Sequence, residues 1–369
     1  MAFWVAGGSV LITLMISDAV GTLVVTRGKA GRWRPTSLWY AITWRATRAA
    51  AARVSTRAAD LVLNAYPAVS LLGLLVVWLV GLLFGWALVY RGLGEPVGAG
   101  GDWAMTLYFA GTGLLAASFG AAHGTAAELL SLVETVMGLG TVALLISYLP
   151  ALYGAYSTRE AKLLTLDDPV GGRLTPVRVI AVHAPHGDLE FFHRFCADWE
   201  EWTAEVLESH SSYPMLALFR SQHAGQSWIT ALGVVIDAAA LACASIVDAD
   251  AREPYFLYRR GQRAVVDIAS RLDVPHEPWL VDWLNRDLFE AAWAQLLTLG
   301  VPLRDQEEAF ERLRELRSRY GLRLQELIDY LLAPHGFWGH SAEATVVHEV
   351  AEATDQARLR ARQASRRSR

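Results

Sequence analysis

The residues whose types and spacing best suggest chemistry form a short segment rich in small side chains. The segment covers positions 102–122 and lies between two apolar runs that are each long enough to cross a bilayer. Irregular backbone at membrane depth is tolerated only where it is buried in protein or lines a water-filled path, and such backbone can offer carbonyl oxygens to a passing ion. The pattern therefore predicts a re-entrant pore loop.

The composition of the chain predicts a membrane domain joined to a soluble domain. The 369 residues are 53% hydrophobic and 19% charged, and the basic residues concentrate near the apolar runs, whereas the acidic ones lie mainly after position 186. We expect a mainly α fold, with membrane helices and a re-entrant pore loop followed by an all-helical cytosolic domain. The expected divisions are an amino-terminal membrane helix and basic interfacial segment (1–66), a pore module (67–156), a helical cytosolic domain (157–350) and a basic tail (351–369).

The amino-terminal region predicts one membrane helix and one basic loop. Residues 1–26 are apolar and have no basic segment before the hydrophobic stretch, which favours a retained helix over a signal peptide. Asp18 within it costs about 2.5–3.5 kcal/mol at membrane depth unless it is paired or near an end. The arginine-rich positions 27–60 predict a cytoplasmic loop, in which 47–59 is expected to be a helix on anionic headgroups. Nucleic-acid binding is disfavoured because the loop lies between two membrane spans.

Two further spans follow. Residues 67–90 are uncharged and about 36 Å long as a helix, which is ample for a bilayer core of about 30 Å. A turn at 91–101 leads to an expected pore helix over 102–115, and the apolar stretch 125–148 returns the chain to the cytoplasm. The predicted topology has an external amino terminus, three spans, one re-entrant loop and a cytoplasmic carboxyl-terminal half.

The carboxyl-terminal half predicts a helical soluble domain. The apolar run 228–247 is long enough to span a membrane, but Asp237 lies at its centre and a further crossing would put the arginines of the tail outside. We therefore interpret it as a buried core helix. Positions 189–209 and 306–332 have helical periodicity. The alternation and β-branching of 175–183 indicate a short strand, and the tail 351–369 is expected to be frayed.

No polar group in this half predicts catalysis. The cluster of His183, His186, Asp188, Glu190 and His193 has no established metal geometry, so structural or surface roles are favoured. The group formed by Arg220, Gln222, His223, Gln226 and Trp228 is expected to satisfy its own hydrogen bonds at a helix junction. Cys196 and Cys243 fit ordinary buried thiols. Phosphate-binding, nucleophile and dinucleotide motifs are not found, so we expect neither an enzyme nor a bound cofactor.

The segment 108–121 resembles the pore region of pore-loop potassium channels, particularly the small bacterial family in which the pore module precedes a helical cytosolic domain. The matching residues are Phe109, Gly111 and Thr112 at the end of the pore helix, and Phe119 and Gly120 in the filter. The resemblance implies that the filter and pore residues are Thr112, Ala116, Ala117, Ser118, Phe119, Gly120 and Ala121. Glu134 and Gly138 stand where the family has an acid and a flexible glycine in the inner helix. The resemblance implies a homotetramer in a bacterial inner membrane, with monovalent cations such as potassium as the permeant ions.

Three departures from that family pattern predict an altered filter. Ala116 replaces the filter threonine, Ser118 the first filter glycine and Ala121 the closing aspartate. Ala116 cannot supply the ring of hydroxyl groups, and Ser118 has a side chain where glycine would permit a left-handed backbone conformation. We therefore expect weak selectivity among monovalent cations. A helix-loop-helix that merely packs, or a non-conducting sensor or scaffold, is the alternative.

Two further predictions concern the inner helix. Glu134 is expected to support the pore helix, because an acid within a membrane span is usually paired or lines a pathway. Gly138 and Gly140 are candidate hinges, although glycine in a membrane helix is as often a device for close packing.

Overall fold

The computed structural model describes residues 1–24, 34–94, 102–117, 125–166, 175–221, 227–247, 252–277, 279–280, 282–334 and 338. Over these residues the chain is mainly helical, and its extended pairing is an isolated antiparallel bridge between Ile246 and Leu303. The predicted filter residues Ser118, Phe119, Gly120 and Ala121 lie outside the described residues, as does the basic tail 351–369. The expectation of a mainly α fold is confirmed.

The chain divides into two compact units, Met1–Gly154 and Ala155–Arg369. The helices that begin in the first unit are α1 (Ala2–Leu23), α2 (Pro35–Ala51), α3 (Thr56–Leu93), α4 (Trp103–Leu114) and α5 (Thr125–Leu163), and the division between the units falls within α5. Three of them, α1, α3 and α5, are long and apolar enough to cross a membrane. This part of the chain is therefore compatible with a membrane protein.

Helices α1 and α3 approach closely along a row of glycines. A Cβ atom at Gly8 would lie 2.5 Å from the carbonyl oxygen of Gly85, and one at Gly81 would lie 2.4 Å from the sulfur of Met15. Without a hydrophobic driving force in lipid, membrane helices associate through such small-residue contacts. The glycines of α3 thus hold α1 against it.

Asp18 joins α1 to α2 and α3. Its side chain is buried and accepts hydrogen bonds from Arg34 Nε (2.8 Å), from the hydroxyl (2.6 Å) and backbone N–H (3.0 Å) of Thr36, and from Trp78 Nε1 (3.0 Å). Pro35 begins α2, so the carboxylate lies at the positive end of that helix. The acid is thus fully paired, which offsets the cost expected of it at this position.

The helix expected over 47–59 is confirmed at its two ends but is not continuous, because the chain reverses at 52–55. Helix α2 ends at Ala51 and α3 begins at Thr56. The reversal forms a hairpin in which Trp39 Nε1 donates to the carbonyl oxygen of Ser70 (2.9 Å) and the ring of Trp44 packs on that of Tyr66, with 5.0 Å between centroids. A continuous helix would carry these aromatic side chains away from α3.

The second unit contains seven complete helices among its described residues. They are α6 (Pro176–His183), α7 (Glu190–Ser212), α8 (Trp228–Ser245), α9 (Arg252–Arg271), α10 (Arg286–Leu297), α11 (Gln306–Ser318) and α12 (Gly321–Leu331). The predicted helical periodicity of 189–209 and 306–332 is confirmed, with a break between α11 and α12.

Helix α8 is the core of the second unit. It satisfies the length and hydropathy expected of a membrane span, but 83% of its most apolar window is buried in the protein, against 22–33% for α1, α3 and α5. Its Asp237 accepts hydrogen bonds from Arg317 Nη1, from the Tyr320 hydroxyl and, over 2.7 Å, from Trp338 Nε1. A lipid-facing helix would leave this carboxylate unpaired, so the contacts favour the interpretation as a buried core helix.

The expected strand at 175–183 is wrong, because this segment forms helix α6. The side chain of Thr175 accepts a hydrogen bond from the backbone N–H of Arg178 over 3.2 Å and so caps the helix, and Pro176 occupies its first position. The buried residues Pro176, Val177, Val179 and Ile180 share one helical face. The capping residues and the helical face outweigh the β preference of the valines.

Candidate functional site

Helix α4 starts beside the carboxyl-terminal end of α3. Asp102 caps it by accepting a hydrogen bond from the backbone N–H of Ala104 over 3.0 Å. The guanidinium of Arg91 lies over the ring of Trp103, 5.2 Å from its centroid, and the Trp4 ring lies 5.7 Å from that of Trp103. The helix predicted over 102–115 is confirmed as Trp103–Leu114.

Helix α4 ends in a Schellman motif. The backbone N–H of Ala117 donates to the carbonyl oxygen of Thr112 (2.8 Å), and that of Ala116 donates to the carbonyl oxygen of Gly113 (3.1 Å). Ala116 takes the left-handed position of the motif, with φ = +56°, where glycine is usual and alanine costs about 1 kcal/mol. The Thr112 hydroxyl donates to the carbonyl oxygen of Phe109 within the helix (3.0 Å). Ala116 and Ala117 are exposed on the single chain.

The carboxyl-terminal turn of α4 lies against α5. The hydroxyl of Thr135 donates to the carbonyl oxygen of Gly113 over 2.8 Å, and a Cβ atom on Gly113 would lie 2.5 Å from Glu134 Oε2. A Cβ atom on Gly138 would lie 2.1 Å from the carbonyl oxygen of Leu114. At Gly138 no side chain larger than hydrogen fits between the two backbones, whereas at Gly113 the near atom is the end of the Glu134 side chain.

Glu134 brings α3, α4 and α5 together. It is fully buried, and its Oε2 accepts a hydrogen bond from the hydroxyl of Tyr90 over 2.7 Å. The Tyr90 ring packs edge-on against Phe109 of α4, with 5.1 Å between centroids. Glu134 Oε1 has no hydrogen-bond partner among the described residues. These are the contacts that a residue supporting α4 would need.

The two candidate hinge glycines have different surroundings. Gly138 is at the close approach to Leu114, whereas a Cβ atom on Gly140 would meet no other atom of the described chain within 4 Å. The surroundings of Gly138 are those of a close-packing position. Its hinge role, like that of Gly140, stays a prediction.

Sequence reasoning did not find the partners of Glu134. Tyr90 and Gly113 lie 44 and 21 positions before Glu134 in the chain, and nothing in the local pattern links them. A tyrosine inside an otherwise apolar span was the available signal, because a buried phenol hydroxyl normally finds a hydrogen-bond partner.

The polar clusters of the second unit are engaged in local structure. His183 Nδ1 lies 2.9 Å from the carbonyl oxygen of Val179, and Asp188 accepts a hydrogen bond from the backbone N–H of Glu190 (2.9 Å). Within the described ranges no three His, Cys, Asp or Glu side chains are grouped to hold a metal ion. Trp228 Nε1 donates to the carbonyl oxygen of Ala217 (3.3 Å), whereas Gln222, His223 and Gln226 lie outside the described residues. Cys196 and Cys243 form no disulfide within the described ranges.

A buried arginine and histidine organise the turn after α7. Arg159 donates to the carbonyl oxygens of Leu216 (3.0 Å) and Phe219 (2.7 Å). His210 Nε2 lies 3.4 Å from Arg159 Nη1, and its Nδ1 lies 2.8 Å from the carbonyl oxygen of Val206. Burial and then the charge of Arg159 lower the pKa of His210 to about 3. The imidazole is therefore neutral at pH 7, with Nδ1 as the donor.

Tyr90 of α3, Glu134 of α5 and the carboxyl-terminal half of α4 meet in one buried contact of the first unit. It joins the residues that the sequence singled out to a tyrosine that the sequence did not. Comparison of the chain with protein-family models, with curated proteins and with solved structures found no match.

Proposed function

We propose that four copies of this chain form a cation channel in a bacterial inner membrane. Helix α4 is its pore helix, residues 116–121 are an altered filter of weak selectivity, and the carboxyl-terminal half is a cytoplasmic domain that assembles or gates the pore. The observation that carries the proposal is the position of α4 relative to α3 and α5.

Helix α4 is too short to cross a membrane. Its 12 residues span about 18 Å, against about 30 Å for a bilayer core. It begins beside Arg91, near the end of α3, and a Cβ atom on Gly111 would lie 3.5 Å from Leu83, ten positions before that end. The helix is therefore inclined along α3 toward its middle.

The contacts with α5 support a return of the chain to the side from which it entered. Leu114 meets Gly138, which is 13 positions, or about 20 Å, into α5. Tyr90 is three positions before the end of α3 and bonds to Glu134, nine positions into α5, so α5 begins on the side where α3 ends. Nine residues lie between Leu115 and Thr125, and the ten Cα–Cα steps reach about 33 Å when extended, which suffices for the return.

The end of α4 favours cations. The carboxyl-terminal carbonyl groups of a helix carry the negative end of its dipole, and α4 has no charged side chain to offset it. Four such ends around one axis would attract cations and repel anions. Because Ala116 and Ala121 supply neither a hydroxyl ring nor an outer carboxylate, the pathway would separate potassium from sodium poorly.

One loop per chain cannot surround a pathway, so several copies are required. Alanine and glycine around the α4 turn permit close approach between copies. Exposed apolar side chains on α5, among them Leu132, Val136 and Leu139, provide surface for neighbouring copies and lipid. The arginines at 27–60 set the cytoplasmic side, which puts the carboxyl-terminal half in the cytoplasm.

Labelling from each side of the membrane tests the re-entrant path. Cysteines at Trp103, Thr125 and Thr165 are exposed to an impermeant thiol reagent in sealed vesicles, with the wild-type chain as the control for Cys196 and Cys243. We expect Trp103→Cys and Thr125→Cys to react from one side and Thr165→Cys from the other. If Trp103→Cys and Thr125→Cys react from opposite sides, the chain crosses the membrane between them, and the proposed re-entrant path and pore are wrong. Absence of ion flux with a correct topology would instead favour the non-conducting sensor or scaffold.

A further inference from the structure

One face of α9 exposes aromatic and basic side chains. Its positions recur every three or four residues and so share one side of the helix. They are Arg252, Tyr255, Phe256, Arg259, Arg263 and Val266, which we call the basic stripe. Tyr255 and Phe256 are 46% and 57% exposed. Arg252 and Arg259 have no carboxylate partner among the described residues, and Arg263 lies 3.5 Å from Asp267 of the same helix.

One face of α7 is exposed and acidic. Its positions also recur every three or four residues, and they are Glu190, Arg194, Asp198, Glu201, Glu205 and Glu208, which we call the acidic stripe. Arg194 pairs with Glu190 over 3.2 Å. Asp198, Glu201 and Glu205 have no cationic partner in the described part of the chain. Self-repulsion along this face favours a partner of opposite charge.

The two stripes lie side by side and open in the same direction. Arg260 donates to Glu200, and Arg271 Nη1 donates to the carbonyl oxygen of Ser211 over 3.5 Å, so α7 and α9 run parallel with positions 60 apart at the same level. At 100° per residue, the basic stripe is turned roughly 90° from Arg260 and the acidic stripe roughly 110° from Glu200, in opposite senses. Because α7 and α9 are parallel and meet at the Arg260–Glu200 contact, rotations in opposite senses from that contact direct both stripes toward the same side of the two helices.

We propose that this face binds the same face of a second copy of the chain, about a two-fold axis parallel to α7 and α9. Each basic stripe then lies over the acidic stripe of the other copy at the same level. Arg263 of one copy meets Glu205 of the other, and Arg259 meets Glu201. Tyr255 and Phe256 are covered by the contact, and exposed aromatic residues with arginine are the composition that interface cores favour.

Charge favours a second copy over other occupants. An anionic membrane surface or a nucleic acid at this face would meet Asp198, Glu201 and Glu205 beside the arginines and would be repelled by them. A second copy offers its acidic stripe to the basic stripe and its basic stripe to the acidic stripe in one contact. The inference rests on the proposed assembly of four chains, which a reciprocal contact of this kind would divide into two pairs.

Disulfide trapping tests the contact in the full-length protein. Two differently tagged chains, one with Arg263→Cys and one with Glu205→Cys, are co-expressed, purified in a lipid disc without anionic lipid and oxidised. We expect a covalent heterodimer. The matched control pairs Arg263→Cys with Glu311→Cys, an exposed acid on α11. A heterodimer yield no higher than in this control would overturn the contact, as would trapping that requires anionic lipid.

Charge exchange tests its chemistry. Adding Arg259→Glu to the first chain, or Glu201→Arg to the second, should lower the trapped fraction about fivefold because like charges then face each other, and adding both should restore it. Equal trapping in all four combinations would overturn the pairing. Ion flux is measured on the same preparations. If ions pass but no heterodimer is trapped, the contact between the stripes is wrong and the channel stands. If the heterodimer is trapped but no ions pass, the contact stands and the channel is wrong.

Discussion

The hydroxyl of Tyr90 donates a hydrogen bond to the carboxylate of Glu134 over 2.7 Å, in a buried position where α3, α4 and α5 meet. The same carboxylate lies so close to Gly113 that a Cβ atom there would approach Glu134 Oε2 to 2.5 Å. One acid therefore fixes the distance from α3 to α5 and the position of the α4 turn. In the proposed channel, it would hold the pore helix at its depth.

Replacement of Glu134 should loosen the α4 turn. Glu134→Ala removes the carboxylate that accepts a hydrogen bond from the buried Tyr90 hydroxyl and opens a cavity, so we expect a loss of about 2–4 kcal/mol in the free energy of unfolding. Glu134→Gln retains an acceptor and should lose about 1 kcal/mol. Glu128→Gln, at an exposed position of the same helix, is the control. Denaturant unfolding in detergent measures all three, and unchanged stability and flux in both Glu134 variants would show that this acid does not support α4.

The glycines of α5 offer a matched pair of variants. Gly138→Ala would put a Cβ atom 2.1 Å from the carbonyl oxygen of Leu114, which forces the two backbones apart, so we expect a loss of about 2 kcal/mol or more. Gly140→Ala meets no described atom within 4 Å and should be neutral or slightly stabilising. Thermal unfolding compares the two. Equal effects would mean that the α4–α5 approach is not as close as the structure has it.

The Asp18 network should be required for the packing of α1. Asp18→Ala removes the acceptor of Arg34, Thr36 and Trp78 at once, and we expect a loss of about 2–3 kcal/mol, reduced by the partial exposure of Arg34. A double-mutant cycle with Arg34→Gln isolates the ion pair. Additive losses in the cycle would show that the two side chains do not interact.

Acid should destabilise the protein through His210. Because the folded pKa of about 3 lies below the unfolded value of about 6.5, the unfolded chain binds one more proton between these values. This residue's contribution to stability therefore falls by about 1.4 kcal/mol per pH unit as the pH drops below about 6.5. His210→Gln should make the decline between pH 6.5 and 5.5, where the unfolded imidazole is only partly protonated, smaller by about 1 kcal/mol. An identical pH dependence in both proteins would contradict a buried neutral imidazole.

Local patterns were sufficient to predict most of the helices. A helix was expected over 102–115 and α4 spans Trp103–Leu114, because Asp102 is a good cap and the turn after Leu114 is rich in small residues. Helix α8 was separated from the membrane spans by its central Asp237, and the arginine and tyrosine that bind this acid are those of a packed core.

The failures came from structure that depends on distant residues. The reversal at 52–55 is required because Trp44 packs on Tyr66, a contact that helical periodicity does not reveal. At 175–183 the valine pattern suggested a strand, although Thr175 and Pro176 carry the signals of a helix start. The Tyr90–Glu134 hydrogen bond joins residues 44 positions apart, and only the fold brings them together.

Ion flux through the purified protein tests the proposed channel most directly. Full-length protein of tetrameric mass is reconstituted in liposomes, and the uptake of potassium, sodium and chloride is measured with a tracer for each ion. We expect uptake above that of protein-free liposomes, sodium and potassium rates within about tenfold of each other, and no chloride flux. Gly138→Ala should lower the rate and Gly140→Ala should not. Absence of cation flux from the tetramer would contradict the channel, and a strong preference for potassium over sodium would contradict the altered filter.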